Sequence, residues 1–442
     1  MARKSISRSL CNLARFAVLI VILLAMICSL ARANVSATLG GGNIGRNLRK
    51  AELQFKALRT VGAGMCRIPV SPGDYGLDTR QPHPERLDEL ILLTHRYGIE
   101  PIVLFEYYTR WHPKLNGHEQ WFTIGQACAQ RFQPNSDWLK SKGIRDWGIR
   151  YYSAINEPTW KSNNPTPIPA EDYAAALEGL ADGVHAVNGD LKVNPGGWIE
   201  GSLRRGEHVY SKAVAPLFNK GKLCAIGIHR YWDVDYIPMK DRYDWSLQSQ
   251  FEEVKRKAGI TADVAFYSDE MNVKKREITE DEAARDFLTA LWDGLGVVGE
   301  KGQRVTEFVM PWNLFNLTTK DKNYGLCSQL DPWTPVARGR VVQLVCELTK
   351  GMDFVSCDPK GKGEFVLEGT GRKLWVWQNR KAWTNHSGTT FTIRDIPSGA
   401  TKIEVYGWDG LSQTIKLDDG RSCEIQHLSP GETYMFLAST CR

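Results

Sequence analysis

The sequence predicts an α/β chain: a closed (β/α)8 TIM barrel over residues 34–350, followed by a small antiparallel β-sandwich over 351–442. Two observations predict it. Short apolar runs alternate with amphipathic helical stretches eight times before Gly351, the number that a closed barrel of strand-helix units requires. After Gly351 the runs shorten and alternate, separated by Gly, Asp, Asn and Ser, which is the texture of a sandwich.

Residues 1–33 belong to neither unit. They carry Arg3, Lys4, Arg8, Arg15 and Arg32 with no acid, an apolar run from Phe16 to Leu30, and then Ala31-Arg32-Ala33. This reads as a signal peptide cut before Asn34, so the mature chain is expected to be secreted or periplasmic. Left uncut, the same run would anchor the chain to a membrane. The formal charge of +6 falls once these residues leave, because 51 basic residues then face 50 acidic ones. A nucleic-acid partner loses its electrostatic support, and an anionic membrane surface does too. A monomer is expected.

The eight strands are expected near 35–39, 65–69, 102–106, 151–157, 192–195, 225–229, 264–270 and 308–312. Between them, Leu48, Ala51, Phe55 and Leu58 recur at helical spacing before Gly62. Tyr173, Leu177, Leu180, Val184 and Val187 share one helix face, which Asn188-Gly189 ends. Thr279 and Glu282 form a capping box ahead of Phe287, Leu288, Leu291 and Leu295. Trp292 lies mid-helix and is expected in the core. Gly40-Gly41-Gly42 lacks the spacing of a dinucleotide turn, and no Lys-Ser/Thr phosphate loop occurs. No cofactor is expected.

Ten cysteines are present, and Cys11 and Cys28 leave with the leader. Cys66 and Cys224 fall in strands and read as buried thiols. Cys327, Cys346, Cys357, Cys423 and Cys441 are the better disulfide candidates in an oxidising compartment. None sits in a Cys/His cluster, so no metal site is expected.

Chemistry in a barrel of this kind gathers at the carboxyl ends of the strands. Glu157 ends strand four in Ile155-Asn156-Glu157-Pro158, and Glu270 ends strand seven in Tyr267-Ser268-Asp269-Glu270. Two such acids suffice to cleave a glycosidic bond, one protonated and one ionised. Counting by two from Glu270 puts Ser268 and Phe266 inside with it and turns Asp269 toward the helices. Glu106 ends strand three as an acceptor for a sugar hydroxyl or as a spare acid. His229 and Tyr231 share inward parity on strand six, with Arg230 pointing out. Arg67 lies in an apolar strand where an unpaired charge is costly, so it requires a carboxylate partner. Trp111, Trp160, Trp198, Trp232 and Trp312 fall at or beyond strand ends, where flat indoles suit the C–H faces of sugars. Trp375 and Trp377 share one side of a sandwich strand and are expected to pack on the barrel.

Together, Asn156-Glu157 on strand four, His229-x-Tyr231 on strand six, Glu270 on strand seven, Arg67 on strand two and Trp312 on strand eight resemble the retaining glycoside hydrolases of clan A. The resemblance spans about 315 residues, and families 5, 30 and 39 are examples. It implies Glu157 as acid/base, Glu270 as nucleophile, Asn156 on the sugar 2-hydroxyl, Tyr231 against the nucleophile, Trp312 as the sugar platform and Arg67 orienting Glu270. Trp160, Trp198, Trp232, His229 and Glu106 complete the expected carbohydrate site. Family 5 often has a histidine at the end of strand three, where this chain reads Phe105-Glu106-Tyr107-Tyr108. The tail resembles the sandwich of families 30 and 39. A transglycosylase, a tethered hydrolase acting in exopolysaccharide assembly and a noncatalytic carbohydrate-binding protein are the alternative readings.

Overall fold

The structure, a computed structural model, describes residues 35–42, 44, 47–76, 81–110, 112, 117–232, 246–273, 278–315, 324–360, 362–380, 389–417 and 422–440. Residues 1–33, the segment expected to be a leader, and Cys441 lie outside these residues. No helix among those described is long and apolar enough to cross a membrane.

The barrel strands are all parallel. β1 (Gly40–Gly41), β2 (Met65–Val70), β3 (Glu100–Phe105), β4 (Tyr151–Ala154) and β5 (Lys192–Pro195) form one run. β6 (Trp198–Ile199), β7 (Ala225–Trp232), β8 (Ala265–Val273) and β9 (Thr306–Pro311) form the other. Strand five of the barrel is thus β5 and β6, parted by Gly196 and Gly197. Backbone bonds close both seams: Cys224 N–H reaches Val193 O at 3.0 Å, and Gly42 N–H reaches Pro311 O at 3.2 Å. Leu39 bridges Val309 beside the second seam.

Residues 35–39 depart from expectation. Val35–Thr38 is a short helix and the strand is confined to Gly40–Gly41. The glycines allow this close packing, since a Cβ on Gly40 would lie 2.8 Å from Met65 O and one on Gly41 would lie 2.5 Å from Leu58 Cδ2.

The helices follow their apolar faces. Tyr173, Leu177, Leu180 and Val184 are buried along Ala170–His185. Ala51, Phe55 and Leu58 are buried along Leu48–Thr60, while Leu48 is exposed at its start. The capping box forms as expected: Glu282 N–H donates to Thr279 Oγ1 and Thr279 N–H donates to Glu282 Oε2, at 3.2 and 2.7 Å.

The helix Ala337–Thr349 leads into β12 (Met352–Asp358). A small antiparallel pair precedes that helix, β10 (Cys327–Leu330) with β11 (Trp333–Pro335). The sandwich adds β13 (Glu364–Gly369), β14 (Arg372–Gln378), β15 (Phe391–Arg394), β16 (Ala400–Gly407), β17 (Gly410–Lys416), β18 (Ser422–Ile425) and β19 (Thr433–Thr440). Six strands make one sheet in the order β12-β13-β14-β19-β16-β17, and β15 pairs with β18 across it.

Phe365, Leu367, Leu374, Val376, Met435 and Leu437 join the barrel's own core, where Trp292 stacks on Phe365 at 5.9 Å. Trp375 and Trp377 face the other way, contrary to expectation. They fill the interior of the sandwich, with Trp377 stacked on Phe391 at 4.9 Å. The physical reason is alternation along β14: smaller Leu374 and Val376 take the barrel side, which commits the tryptophans to the opposite face. Among the described residues no two cysteines form a disulfide, Cys327, Cys346, Cys357 and Cys423 included.

Candidate active site

Strand four delivers Glu157 by an unusual backbone path. The ladder to strand three continues past Ala154, since Ile155 N–H meets Phe105 O at 3.0 Å. Ile155 and Glu157 then adopt φ values of 62° and 46°, left-handed conformations that cost a branched or bulky residue of order 1–3 kcal/mol. Surrounding structure holds them there, because Glu157 N–H bonds to Gly197 O at 3.1 Å. The result raises the Glu157 side chain over the barrel mouth.

Strands two, six and seven supply the partners. Glu270 Oε1 accepts from Arg67 Nη2 at 2.5 Å, and Oε2 accepts from Tyr231 Oη at 2.7 Å. Asn156 Nδ2 lies 3.5 Å from Glu270 Oε1, and Asn156 Oδ1 is buried without a hydrogen bond among the described residues. His229 Nδ1 is 2.8 Å from Glu157 Oε1. The nearest oxygens of Glu157 and Glu270 lie within 4.8 Å of one another. Arg67, Asn156, Glu157, His229, Tyr231 and Glu270 therefore form a single cluster.

Asp269 belongs to it as well, which corrects the outward placement. Its Oδ2 accepts from Arg67 Nη1 at 2.7 Å and its Oδ1 lies 2.7 Å from His229 Nε2. The register slips between Ser268 and Met271 and between Gly227 and Arg230, so alternation by two fails at the strand ends. Asp269 and Glu270 both turn inward. Arg230 faces away, 3.5 Å from Glu200.

The two glutamates differ electrostatically. Burial raises the Glu157 pKa, and the negative charge of Glu270 raises it further. Burial would also raise that of Glu270, but the cations His229 and Arg67 outweigh it and hold the carboxyl low. For His229, burial is likewise overcome, by Glu270 and Asp269, and its pKa is pushed up to about 10. Asp269 is held well below the usual carboxylate range, its burial offset by Arg67 and His229. The three groups Glu157, His229 and Glu270 are close enough to share a cation. However, both His229 nitrogens are committed to carboxylates and Arg67 already neutralises Glu270, so the geometry is that of a hydrogen-bonded network.

An aromatic wall stands beside the cluster. Tyr324 packs 5.3 Å from both Tyr231 and Trp312, and Tyr231 meets Trp312 edge-on at 6.1 Å. Asn272 fixes this wall from behind, its Nδ2 donating to Trp312 O at 2.5 Å and Tyr324 O at 2.7 Å. Buried Arg338 holds Asn272 Oδ1 at 3.0 Å. On the other side Tyr108 donates to Glu106 Oε1 at 3.2 Å, and burial, reinforced by the charges of Glu106 and Glu270, pushes its hydroxyl pKa up. Tyr108, Tyr324 and Asn272 were not singled out from sequence, and Asp269 was weighed there only to be set aside as outward-facing. Of the first three, only Tyr108 carried a signal, as one of two tyrosines directly after Glu106.

The remaining tryptophans diverge. Trp160 is 40% exposed. Trp198 is buried and donates its indole N–H to Tyr173 Oη at 3.1 Å, so it is a core residue and offers no platform. A paired indole N–H is the usual accompaniment of burial. Trp111 and the side chain of Trp232 lie outside the described residues.

A barrel with these strand ends and a trailing sandwich has the fold of the clan A glycoside hydrolases. A family 39 glycoside hydrolase from Bacteroides cellulosilyticus is similar over 91% of this chain and 81% of its own, with a TM-score of 0.59 and 15% identity. A family 51 α-L-arabinofuranosidase from Bifidobacterium longum covers 92% and 97%, at 0.58 and 12%. A family 30 endoxylanase from Clostridium papyrosolvens covers 92% and 97%, at 0.56 and 11%. At these identities the likeness is one of fold. No protein-family model and no curated protein matches the chain.

Proposed function

We propose that this chain is a retaining glycoside hydrolase that cleaves a β-linked oligo- or polysaccharide by double displacement, exported by its leader. The observation that carries this reading is the approach of Glu157 and Glu270 to within 4.8 Å, nearest oxygens measured, in surroundings that favour opposite protonation states. Retention uses carboxyls about 5 to 5.5 Å apart, while inversion leaves about 6.5 to 9.5 Å for a water.

Glu270, ionised beside Arg67 and Tyr231, attacks the anomeric carbon as Glu157 protonates the departing oxygen. A glycosyl ester on Glu270 results. Esterification removes the negative charge that helped to raise the Glu157 pKa, so Glu157 becomes the base that deprotonates the incoming water. Attack of that water on the anomeric carbon breaks the ester and restores Glu270. The unpaired Asn156 Oδ1 is an acceptor for the sugar 2-hydroxyl, and the Trp312 wall supplies the apolar face.

A panel of aryl glycosides and polysaccharides, with NMR of the first-formed anomer, tests this. The same anomer as the substrate is expected. Glu157→Ala should lose about 10²- to 10⁴-fold on poor leaving groups, and on activated aryl glycosides azide should restore turnover as a glycosyl azide. An inverted product, or full activity in Glu270→Gln, would overturn the proposal.

A further inference from the structure

Asp269 takes no part in the double displacement, yet it is held as tightly as any group in the cluster. Its buried carboxylate receives Arg67 on one oxygen and His229 Nε2 on the other, each at 2.7 Å. Across the ring, His229 Nδ1 faces Glu157 Oε1 at 2.8 Å and Glu270 Oε2 at 3.6 Å. Gly197 makes room for the ring, since a Cβ there would lie 2.1 Å from His229 Nε2.

With Asp269 kept ionised by Arg67, an imidazole with a carboxyl oxygen beyond each nitrogen has two ways to satisfy both contacts. As an imidazolium it donates twice. As a neutral ring it donates Nε2–H to Asp269 and accepts at Nδ1, which requires the Glu157 proton on Oε1, directed into the protein. Only the imidazolium leaves that proton on Oε2, the oxygen with no hydrogen bond to the protein among the described residues. We propose that Asp269 is a positioning residue which, by keeping His229 doubly protonated, places the acid proton of Glu157 on Oε2, where a leaving oxygen can take it.

The groups facing His229 fit this assignment. Strand seven contributes Asp269 and Glu270, strand four Glu157, and strand two Arg67, which binds both strand-seven acids. Tyr231 follows on the same strand as His229 and donates to Glu270. With Glu157 protonated, two carboxylates balance one guanidinium and one imidazolium, so the buried cluster is neutral, the state in which buried charge costs least. In Asp269→Asn one negative charge is gone. His229 then reverts to the neutral ring, and the Glu157 proton is drawn to Oε1.

This inference rests on the reading of Glu157 as the acid, but its first test needs no activity. The full-length mature protein carrying ¹⁵N-histidine is examined by long-range ¹⁵N–¹H NMR at pH 7, with the His229 signal assigned by its loss in His229→Gln. Two protonated nitrogens are expected in the wild type, and one protonated and one bare in Asp269→Asn. A neutral His229 in the wild type overturns the proposal, whether or not the variant folds, as does a doubly protonated ring in Asp269→Asn.

The second test compares aryl glycosides of graded leaving-group pKa. Asp269→Asn should lose about 10²-fold on phenyl glycosides and under about threefold on dinitrophenyl glycosides. An equal loss across the series would show that Asp269 contributes only shape. If the wild type cleaves no glycoside, the functional reading of Glu157 fails, while NMR still decides the protonation of His229.

Discussion

Arg67→Met offers a quantitative test of the charge network. The guanidinium makes two charge-assisted bonds, 2.7 Å to Asp269 and 2.5 Å to Glu270, and is fully buried. Removing one partner of a buried pair costs about 3–5 kcal/mol. Two orphaned acids would double this, but His229 still serves Asp269 and Tyr231 still serves Glu270, so the single-pair figure applies. At roughly 2 °C per kcal/mol for a domain of this size, Tm should fall by about 6–10 °C at pH 7.

The pH dependence follows from the acids. Asp269 and Glu270 have lowered folded-state pKa values, so their pairing stabilises the fold above their unfolded values and fades as pH falls through the folded ones. The Tm gap between wild type and Arg67→Met should therefore be widest at pH 7 and narrow progressively below about pH 4. Differential scanning calorimetry from pH 7 to 3 measures it. A gap under about 2 °C at pH 7, or one independent of pH, would refute the assignment of two ionised acids to Arg67.

Other expectations concern neighbouring residues. Tyr231→Phe removes a bond to an ionised group, worth about 1.5–3 kcal/mol; the acidic limb of kcat/KM should move up by about one to two pH units, seen in a pH–rate profile. Gly197→Ala sets a methyl 2.1 Å from His229 Nε2 and should displace the ring, costing about 1–3 kcal/mol in stability by chemical denaturation and at least 10²-fold in kcat. Trp292→Ala empties the place where Phe365 stacks and should cost about 3–5 kcal/mol, read as a lower urea midpoint.

Much of the site was legible because barrel chemistry collects at strand ends and parity sorts the residues there. Glu157, Glu270, His229 and Tyr231, which the structure brings into one cluster, were picked out in this way, and Arg67 by the cost of burying its charge alone. Parity failed for Asp269 because it was counted back from Glu270 across a bulge in strand seven. Tyr267 lines the barrel interior and Phe266 packs on Phe251, so alternation puts Asp269 inside and the bulge adds Glu270. A bulge leaves no mark in composition. Trp198 misled for a related reason: position at a strand end does not reveal that the chain turns its indole toward Tyr173. Tyr324 and Asn272 reach the site through contacts between segments distant in sequence. Val35–Thr38 read as a strand since Val, Ala and Thr suit either state, and only packing against the barrel decides.

The six-stranded sheet bears on how the chain matures. β19 lies between β14 and β16, and the face of that sheet covers Trp292 and the barrel helices around it. Until residues 433–440 have emerged, the sheet lacks a central strand and the barrel keeps an uncovered apolar flank. A barrel trimmed at residue 350 should accordingly be sticky and poorly soluble, whereas the full-length chain can assemble both parts at once.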